Sequence, residues 1–223
     1  DSIPDMPELR GRSRDQVRNN PIACSAIDTQ VANVVGTGLS LEPCIDGKFL
    51  RMTDEAVEAW QEAAEREWCA WADTKACDYT QELNFYGLQD LAFRSMLESG
   101  DCFVINVRVR RPGSPFRTAL QLIEADRVSN PNRRQDTDLM TDGIERNENG
   151  MPIAVHISDK HPGRIVSGPA MKWTRMPIRG ESGRVNVIHL MRKLRPGQSR
   201  GVPVLAPIIG HLKQLDRYTN AEI

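Results

Sequence analysis

The chain has 223 residues, of which 39% are hydrophobic and 26% are charged, a composition typical of globular proteins and unlike that of disordered chains. No window approaches the roughly 18 uninterrupted apolar residues of a membrane span, and the first thirty residues lack the layout of a secretion signal. We therefore expect no membrane partner.

The net charge of −1 conceals two halves of opposite sign. Residues 1–100 contain nine basic and eighteen acidic residues, a net of −9, and residues 101–223 contain twenty basic and twelve acidic residues, a net of +8. This distribution excludes a uniformly basic nucleic-acid binder. The distribution is explained equally well by a molecule with an acidic end and a basic end, or by acidic helix faces in one half and basic strand edges in the other. Such a chain would also suit packing against copies of itself.

The cysteine pattern predicts neither disulfides nor a metal site. The count of five is odd, and no pair has the two-residue gap of a metal-binding or redox motif. We expect reduced, mostly buried thiols at the five positions, which are Cys24, Cys44, Cys69, Cys77 and Cys102.

The first predicted helix has clear signals at both ends. Asn20 is a favourable N-cap residue and Pro21 suits the first helical position. Gly36 suits the left-handed position that follows a helix. Apolar residues between these limits recur at helical spacing, so a helix is expected from Pro21 to the residue before Gly36.

The second predicted helix follows Thr53 and has two different faces. One face is apolar and is expected in the core: Val57, Trp60, Ala64, Trp68 and Trp71. The other is acidic and is expected to face solvent or a partner: Glu58, Glu62, Glu65 and Glu67. Three tryptophans on one helix could also stack on nucleic-acid bases, but carboxylates surround them, which favours the core interpretation.

A third helix is predicted from about Asn84 to Ser99, and Gly100 ends it. Its inward residues are expected to be Leu88, Leu91, Ala92, Met96 and Leu97. After Gly100 apolar and polar residues alternate, which predicts a half-exposed strand that begins at Asp101. The turn 112–115 then leads into a partner strand, Thr118–Glu124.

The second half of the chain continues with strands and ends in a helix. A second hairpin is predicted from Ile144–Arg146 and Ile153–Ser158, with a later strand at Val185–Met191. A terminal helix starts near Val204, and no stop signal is found in Thr219–Ile223, so we expect the chain to be part of a longer protein. Helices in one half and antiparallel strands in the other predict the α+β class.

No catalytic motif survives inspection. Residues 197–201 match G-x-S-x-G, but no acid followed by histidine comes after Ser199, as a hydrolase of that type requires. The acidic residues Asp136, Asp138 and Asp142 lack calcium-loop spacing, and His156 and His161 are poorly spaced for zinc. We therefore expect no enzyme activity, no metal and no cofactor.

The most pointed functional feature is a basic hairpin around the turn 112–115. It carries four arginines: Arg108, Arg110, Arg111 and Arg117. Arginine forks match phosphate oxygens, so the hairpin could contact nucleic acid. Alternatively, charged residues protect an exposed strand edge from aggregation, or they pair with the acidic helix of a neighbouring copy.

Several segments together resemble one known family. In chain order they are Arg18–Pro21, Val35–Leu39, Leu122–Pro131, Asp142–Glu145, Asn149–Pro152, Val187–Leu190 and Arg195–Pro203. In order and spacing these segments resemble the portal proteins of lambda-like tailed bacteriophages. The last segment is the most specific, and the resemblance extends from about Arg10 onward.

This resemblance implies a structural role in the virion. Proteins of this kind form a dodecameric ring at one capsid vertex, on which the terminase large subunit docks and through which double-stranded DNA passes. The major capsid protein and the head–tail joining protein would be further partners, and assembly would take place in the host cytoplasm. The gene could belong to a phage or to a prophage.

The resemblance also implies a division of the chain. Residues 1–202 would form a wing-like domain, and residues 203–223 would begin a long helix directed toward the stem of the portal. Residues 198–201, within the G-x-S-x-G match, would then be a bend that leads into this helix. Family members are about twice as long, so the clip, the second stem helix and the crown would lie beyond Ile223. We do not expect this portion alone to close a stable ring.

Two other functions compete with a portal subunit. One is a DNA-processing enzyme or DNA-binding module that uses the basic second half, and the other is a different structural protein of the capsid or tail. For the portal we hypothesise that the basic hairpin of one subunit meets an acidic helix face of the next. The acidic residues in that contact would be Glu58, Glu62 and Glu65.

Overall fold

The computed structural model describes residues 5–163 and 170–221, and over that range it confirms the α+β class. The helices are α1 (Met6–Asn19), α2 (Pro21–Val34), α3 (Gly47–Leu50), α4 (Asp54–Ala72), α5 (Phe85–Ser99) and α6 (Ile209–Ala221). The strands are β1 (Asp101–Arg108), β2 (Thr118–Glu124), β3 (Met140–Thr141), β4 (Ile144–Arg146), β5 (Pro152–Ser158), β6 (Trp173–Pro177) and β7 (Val187–Met191). Within these ranges no helix has the length and apolar character needed to cross a membrane.

The helix starts expected from the sequence are confirmed by their capping bonds. The side chain of Asn20 accepts hydrogen bonds from the amides of Ile22 and Ala23. The hydroxyl of Thr53 accepts from the Ala56 amide at 3.3 Å, and Asn84 caps α5 through the amide of residue 87. Each cap satisfies amide groups that have no partner inside the helix, which fixes where the helix begins.

Helix α1 was not expected from the apolar pattern. Its buried face contains Arg10, Ser13 and Gln16 beside Met6 and Val17, so apolar residues do not recur at helical spacing. Because the polar groups of this face are buried by tertiary contacts, periodicity alone gives no sign of the helix.

Two antiparallel sheets carry the strands. Sheet A has the order β2-β1-β7, and sheet B has the order β3-β4-β5-β6. The predicted first hairpin is confirmed: β1 and β2 pair antiparallel, and the structure sets their register from Cys102 opposite Glu124 to Arg108 opposite Thr118. Strand β6 was missed because it lies in a stretch rich in proline and glycine, of which residues 164–169 lie outside the described range.

Strand β1 is buried more deeply than its alternating pattern predicts. Residues 101–105 are all buried, so the half-exposed prediction is wrong for this part of the strand. Phe103 and Ile105 pack into a core shared with sheet B, where they meet Val155 and Ile157. Helix α5 packs against sheet A and contacts β1. The central strand is therefore covered on both faces.

A second core lies among the helices. Its buried members are Val17, Ala23, Ile27, Val31, Leu97, Leu205, Ile209 and Leu212. The terminal helix is shorter than predicted at its start, because a 3-10 turn occupies Ala206–Ile208 before α6 begins. Helix α6 has 13 residues; Leu212 is buried in this core, whereas Leu215 and Tyr218 are exposed. The last two residues of the segment expected to lack a stop signal lie outside the described range.

Residues 39–72, which we call the arm, project from this body. Of the nineteen residues of α4 only the last, Ala72, is buried, and Trp60 is 48% exposed, so its expected core position is wrong. The preceding segment runs back along the helix, where Gln61 donates to the carbonyl of Pro43 at 2.8 Å. Leu91 on α5 is likewise exposed rather than inward.

Aromatic contacts attach the base of the arm to the body. The rings of Trp68 and Trp71 lie 4.9 and 5.5 Å from the ring of Phe85 at the start of α5. The indole N–H of Trp71 donates to the carbonyl of Thr118 at 2.9 Å. Trp68 and Trp71 thus have the packing role that was expected for all three tryptophans, whereas Trp60 does not.

Two glycines bring the start of β1 against the bend before α6. Gly100 has φ +92°, a conformation that side chains strongly disfavour. An ideal Cβ at Gly201 would lie 1.8 Å from the Gly100 carbonyl oxygen, so the two backbones are in direct contact. This approach places residue 201 of the bend directly beside the start of β1.

We expect Gly201→Ala to lower the free energy of unfolding by at least about 2 kcal/mol, because the new methyl group must displace backbone. Gly11→Ala is the control, since no atom lies within 4 Å of its ideal Cβ and alanine favours a helix by up to about 1 kcal/mol. Urea unfolding measures both. Equal midpoints for the two variants would contradict the close approach.

Candidate functional site: a buried arginine junction and a charged surface

The bend at residues 197–201 carries the most deeply buried charge described in the chain. The side chain of Arg200 is 0% exposed, and so is that of its partner Asp101, the first residue of β1. Arg200 Nε lies 2.6 Å from one carboxylate oxygen, and Nη2 lies 3.1 Å from the other. This is the two-pronged pairing for which the guanidinium shape is suited.

The remaining donors of Arg200 bond to main chain and to a second carboxylate. Nη1 donates to the carbonyls of Val128 and Asp142 and to a carboxylate oxygen of Asp142, each at 2.9 Å. Nη2 also donates to the carbonyl of Ala125 at 2.7 Å. The guanidinium carbon lies 5.2 Å from the centre of the Phe103 ring. All three guanidinium nitrogens are therefore bonded inside the protein.

Asp101 receives bonds from three further directions. The amide of Gly201 lies 3.2 Å from one carboxylate oxygen, His189 Nε2 lies 3.1 Å from the same oxygen, and Arg10 Nη2 lies 3.5 Å from the other. Burial by itself would raise the pKa of Asp101, but the charge of Arg200 and the bonds from His189 and Arg200 hold that pKa well below its usual range. The carboxylate is thus charged and fully bonded.

Arg10 extends this cluster to α1. Its Nε donates to the carbonyl of Ser99 at 3.0 Å, and Nη1 lies 3.8 Å from Asp126. Burial and the nearby Arg200 lower the pKa of Arg10. Burial also raises the pKa of Asp142, despite the opposing charge of Arg200. We call the group Arg10, Asp101, Asp126, Asp142 and Arg200 the arginine junction.

The arginine junction connects four separate segments of the chain. It joins α1, the end of α5, the start of β1 and the bend before α6, which are far apart in sequence. Since the Arg200 donors are engaged within the chain, the cluster leaves none of them for a ligand. The sequence did not predict this junction, because Arg200 was identified there only as part of a bend.

The serine of the G-x-S-x-G match does not sit beside a base. Ser199 is buried, and its hydroxyl accepts a hydrogen bond from Arg146 Nη2 at 3.0 Å. A cationic donor cannot take the proton of a nucleophilic serine, which needs an adjacent base. His211 is exposed on α6.

The candidate metal residues bond to their own chain. Asp136 accepts from the side chain of Asn130 and from the amide of Asp142. His156 lies 3.0 Å from Glu145, and His161 lies 3.3 Å from Asp126, so the two histidines have separate partners. Within residues 5–163 and 170–221, no group of three or more histidine, cysteine or acidic side chains is arranged to hold a metal ion.

The cysteines are free, as expected, but not all are buried. Cys77 and Cys102 are buried, and burial raises their pKa values to about 11 and about 12. Cys24 and Cys69 are partly buried, and Cys44 on the arm is exposed. The expectation of mostly buried thiols therefore holds for two positions and is wrong for Cys44.

The four hairpin arginines divide into two groups. Arg111 donates to the carbonyls of Ala76, Asp78 and Tyr79 at 2.7 to 2.9 Å, so its guanidinium is engaged within the chain. Arg108, Arg110 and Arg117 are exposed. A sequence motif gives the charge of a side chain but not whether main-chain carbonyls lie within its reach.

A fourth exposed arginine joins these three. Arg184, just before β7, donates to Asn106 and to the hydroxyl of Thr118 at 3.1 and 3.2 Å. It lies near the hairpin because β7 pairs with β1. We call Arg108, Arg110, Arg117 and Arg184 the basic end of sheet A. The sequence predicted the strand at Val185–Met191 but not its pairing with β1, and only that pairing places Arg184 beside the hairpin.

The acidic residues lie on the arm. Glu58, Glu62 and Glu65 are exposed on α4. Near the base of the arm, Glu67 and Arg117 line one cleft between α4 and the hairpin turn. Across the described residues, no ion pair joins the basic end of sheet A to the arm. Both charged surfaces are therefore open to a partner.

Comparison with known proteins identifies relatives along the whole chain. The family described as "Phage portal protein, lambda family" matches residues 1–223. Portal protein B of Escherichia phage lambda is 26% identical over 224 residues, which cover 99% of this chain and 41% of that protein. The portal protein of Escherichia phage N15 is 26% identical over 230 residues, which cover 99% of this chain and 42% of that protein. The chain spans about two fifths of the length of these curated relatives.

We expect Arg200→Met and Asp101→Asn each to lower the free energy of unfolding by about 3–5 kcal/mol, because each leaves a buried polar partner without its bonds. The control is Arg175→Met, which breaks a pair with Glu145 in which Arg175 is 49% exposed. That change should cost at most about 1 kcal/mol. Denaturant unfolding compares them. If Arg200→Met were no more damaging than the control, the junction would not carry the stability assigned to it.

Proposed function

Because the chain belongs to the lambda family of phage portal proteins, we propose that it is part of a subunit of the head–tail connector ring through which the phage genome is packaged and later ejected. The observation that carries this proposal is the family match over all 223 residues. The role is structural rather than catalytic, and the ring stands at the portal vertex of the virion after assembly in the host cytoplasm.

The partners follow from that position. The terminase large subunit docks on the ring during packaging, the major capsid protein surrounds it, and the head–tail joining protein attaches later. Double-stranded DNA passes through the central channel. Twelve copies of the complete protein form the ring, as the family resemblance implies.

The arginine junction supports a role that depends on shape. A ring subunit must keep its geometry while DNA moves through the channel, and the junction ties α1, sheet A and the bend before α6 to one point. Buried ion pairs are weak evidence for stability but can specify a single arrangement of the chain. We interpret this one as a device that fixes the angle between the body and α6.

We further propose that residues 1–202 form the wing-like part and that residues 203–223 begin the helix toward the stem. The burial of α6 supports this division, since Leu212 is in the helical core whereas Leu215 and Tyr218 are exposed. The apolar side chains of α6 thus become more exposed along the helix, although Asp216 still accepts a hydrogen bond from the side chain of Asn20 at 2.8 Å.

Opposite charges provide a contact between adjacent subunits. We propose that Arg108, Arg110 and Arg117 of one copy meet Glu58, Glu62 and Glu65 of the next, while Arg111 stays bonded within its own chain. Two different surfaces are involved, so the contact is heterologous and can repeat around a ring. The exposed arginines also favour a second candidate function, which is contact with DNA phosphates.

We expect the complete protein to form closed rings with a central hole, because heterologous contacts close when the rotation between subunits divides a full turn. Native mass spectrometry gives the copy number, and negative-stain imaging gives the shape. The 223-residue portion is the comparison and should remain largely monomeric. A complete protein that stays monomeric or forms only open fibres would contradict the proposal.

We expect Arg110→Glu and Glu62→Arg each to weaken ring assembly, by about 1 kcal/mol per interface, and to restore it when combined. Arg12→Glu is the control, since Arg12 is 53% exposed and forms its ion pair with Glu8 on the same helix. Ring yield at several salt concentrations measures the effect. Assembly that is unaffected by the single reversals but accompanied by weaker DNA binding would favour the phosphate role instead.

A further inference from the structure

An open apolar groove lies where α5 and the end of α2 meet sheet A. It has a volume of about 320 Å³. The register explains its floor: Val104 stands opposite Leu122 on one side and Ile188 on the other, so these side chains share one face of the sheet. Val34, Leu39 and Ile188 are about half exposed or more around it. Its lining is almost wholly apolar, and such an exposed surface is typical of an interaction site.

The arm carries an apolar side chain that has no place in the core. Phe49, on the short helix α3, is 83% exposed, the highest value for a large apolar side chain among the described residues. Its neighbour Leu50 is 51% exposed. An aromatic ring in water at the tip of a projection is the usual form of an anchor for a partner surface.

Phe49 cannot reach the groove of its own chain in this fold. Gly47 lies against Val57, because an ideal Cβ at Gly47 would be 2.5 Å from the Val57 side chain. Fourteen residues of α4 separate Val57 from Trp71, which corresponds to about 20 Å of helix. Trp71 packs on Phe85, which lines the groove. The tip of the arm is therefore a long way from the groove at its base.

Charge favours another copy of the chain as the occupant. Residues 39–72 contain eight acidic and three basic residues, a net of −5. Strand β7, which forms one rim of the groove and lies at the edge of sheet A, is flanked by the exposed residues Arg184, Arg192 and Lys193. An acidic arm laid along a basic rim has complementary charge, which guides orientation.

We infer that the apolar groove of one copy receives Phe49 from the arm of the adjacent copy. This inference rests on the proposed ring and identifies an apolar anchor for the same heterologous contact. Each copy offers one tip and one groove, so the contact repeats from subunit to subunit. The acidic face of the inserted arm then lies toward the basic end of sheet A, where Arg184 and Arg108 stand.

Photocrosslinking of the complete protein tests the contact directly. p-Benzoylphenylalanine takes the place of Phe49, and the purified ring is irradiated. We expect crosslinked species of two or more chains, in which mass spectrometry maps the bond to α5 or β7. The control places the same residue at Met151, which is 58% exposed on the turn before β5. That position should give no crosslink to the groove.

Truncation of the anchor provides a second measurement. Phe49→Ser should weaken association about 30-fold per interface, the effect typical of removing a central aromatic anchor, whereas Met151→Ser should leave it unchanged. Because Phe49 is 83% exposed, its loss opens no cavity. Circular dichroism verifies that both variants fold alike, and dilution of the rings measures association.

The outcomes separate this inference from the proposed function. Closed rings whose crosslinks map to another surface, or only within one chain, would overturn the inference and leave the ring intact. A crosslink to a different virion protein during assembly would overturn it as well. If the complete protein forms no ring, the proposed function fails first and the inference fails with it.

Discussion

The bidentate ion pair between Arg200 and Asp101 is the interaction on which the arrangement of this chain depends. Both side chains are fully buried, and each would be costly to remove from water without a partner. Beside the pair, Gly100 and Gly201 let two backbones touch, because a Cβ atom on either residue would clash with the other. Ninety-nine residues separate the partners, so this bond closes the chain into one unit around sheet A.

Local signals in the sequence were sufficient for much of the fold. The helix starts at Asn20, at Thr53 and near Asn84 and the two strands of the first hairpin depend on neighbouring residues, and these were predicted correctly. Helix α1 was missed because Arg10 and other polar residues form its inner face, and periodicity detects only apolar faces. Trp60 was misplaced for a related reason, since periodicity identifies a face without showing what covers it.

The candidate site was harder to predict because its bonds are long range. The charge of the hairpin arginines could be seen in the sequence, but the carbonyls that engage Arg111 come from residues 76–79, more than thirty positions earlier. Arg184 joins the group only through the pairing of β7 with β1. The contact of these arginines with the acidic arm of another copy stays a prediction, as does the division of the chain at residue 202.

The joining of α6 to the centre of the molecule has a mechanical consequence. The amide of Val204 donates to the carbonyl of Leu97 at 2.9 Å, immediately beside the glycine contact. A main-chain hydrogen bond therefore joins the turn before α6 directly to the corner between α5 and β1. Torque applied to the last helix would pass straight into the middle strand of sheet A, so that helix and sheet would rotate together as one lever.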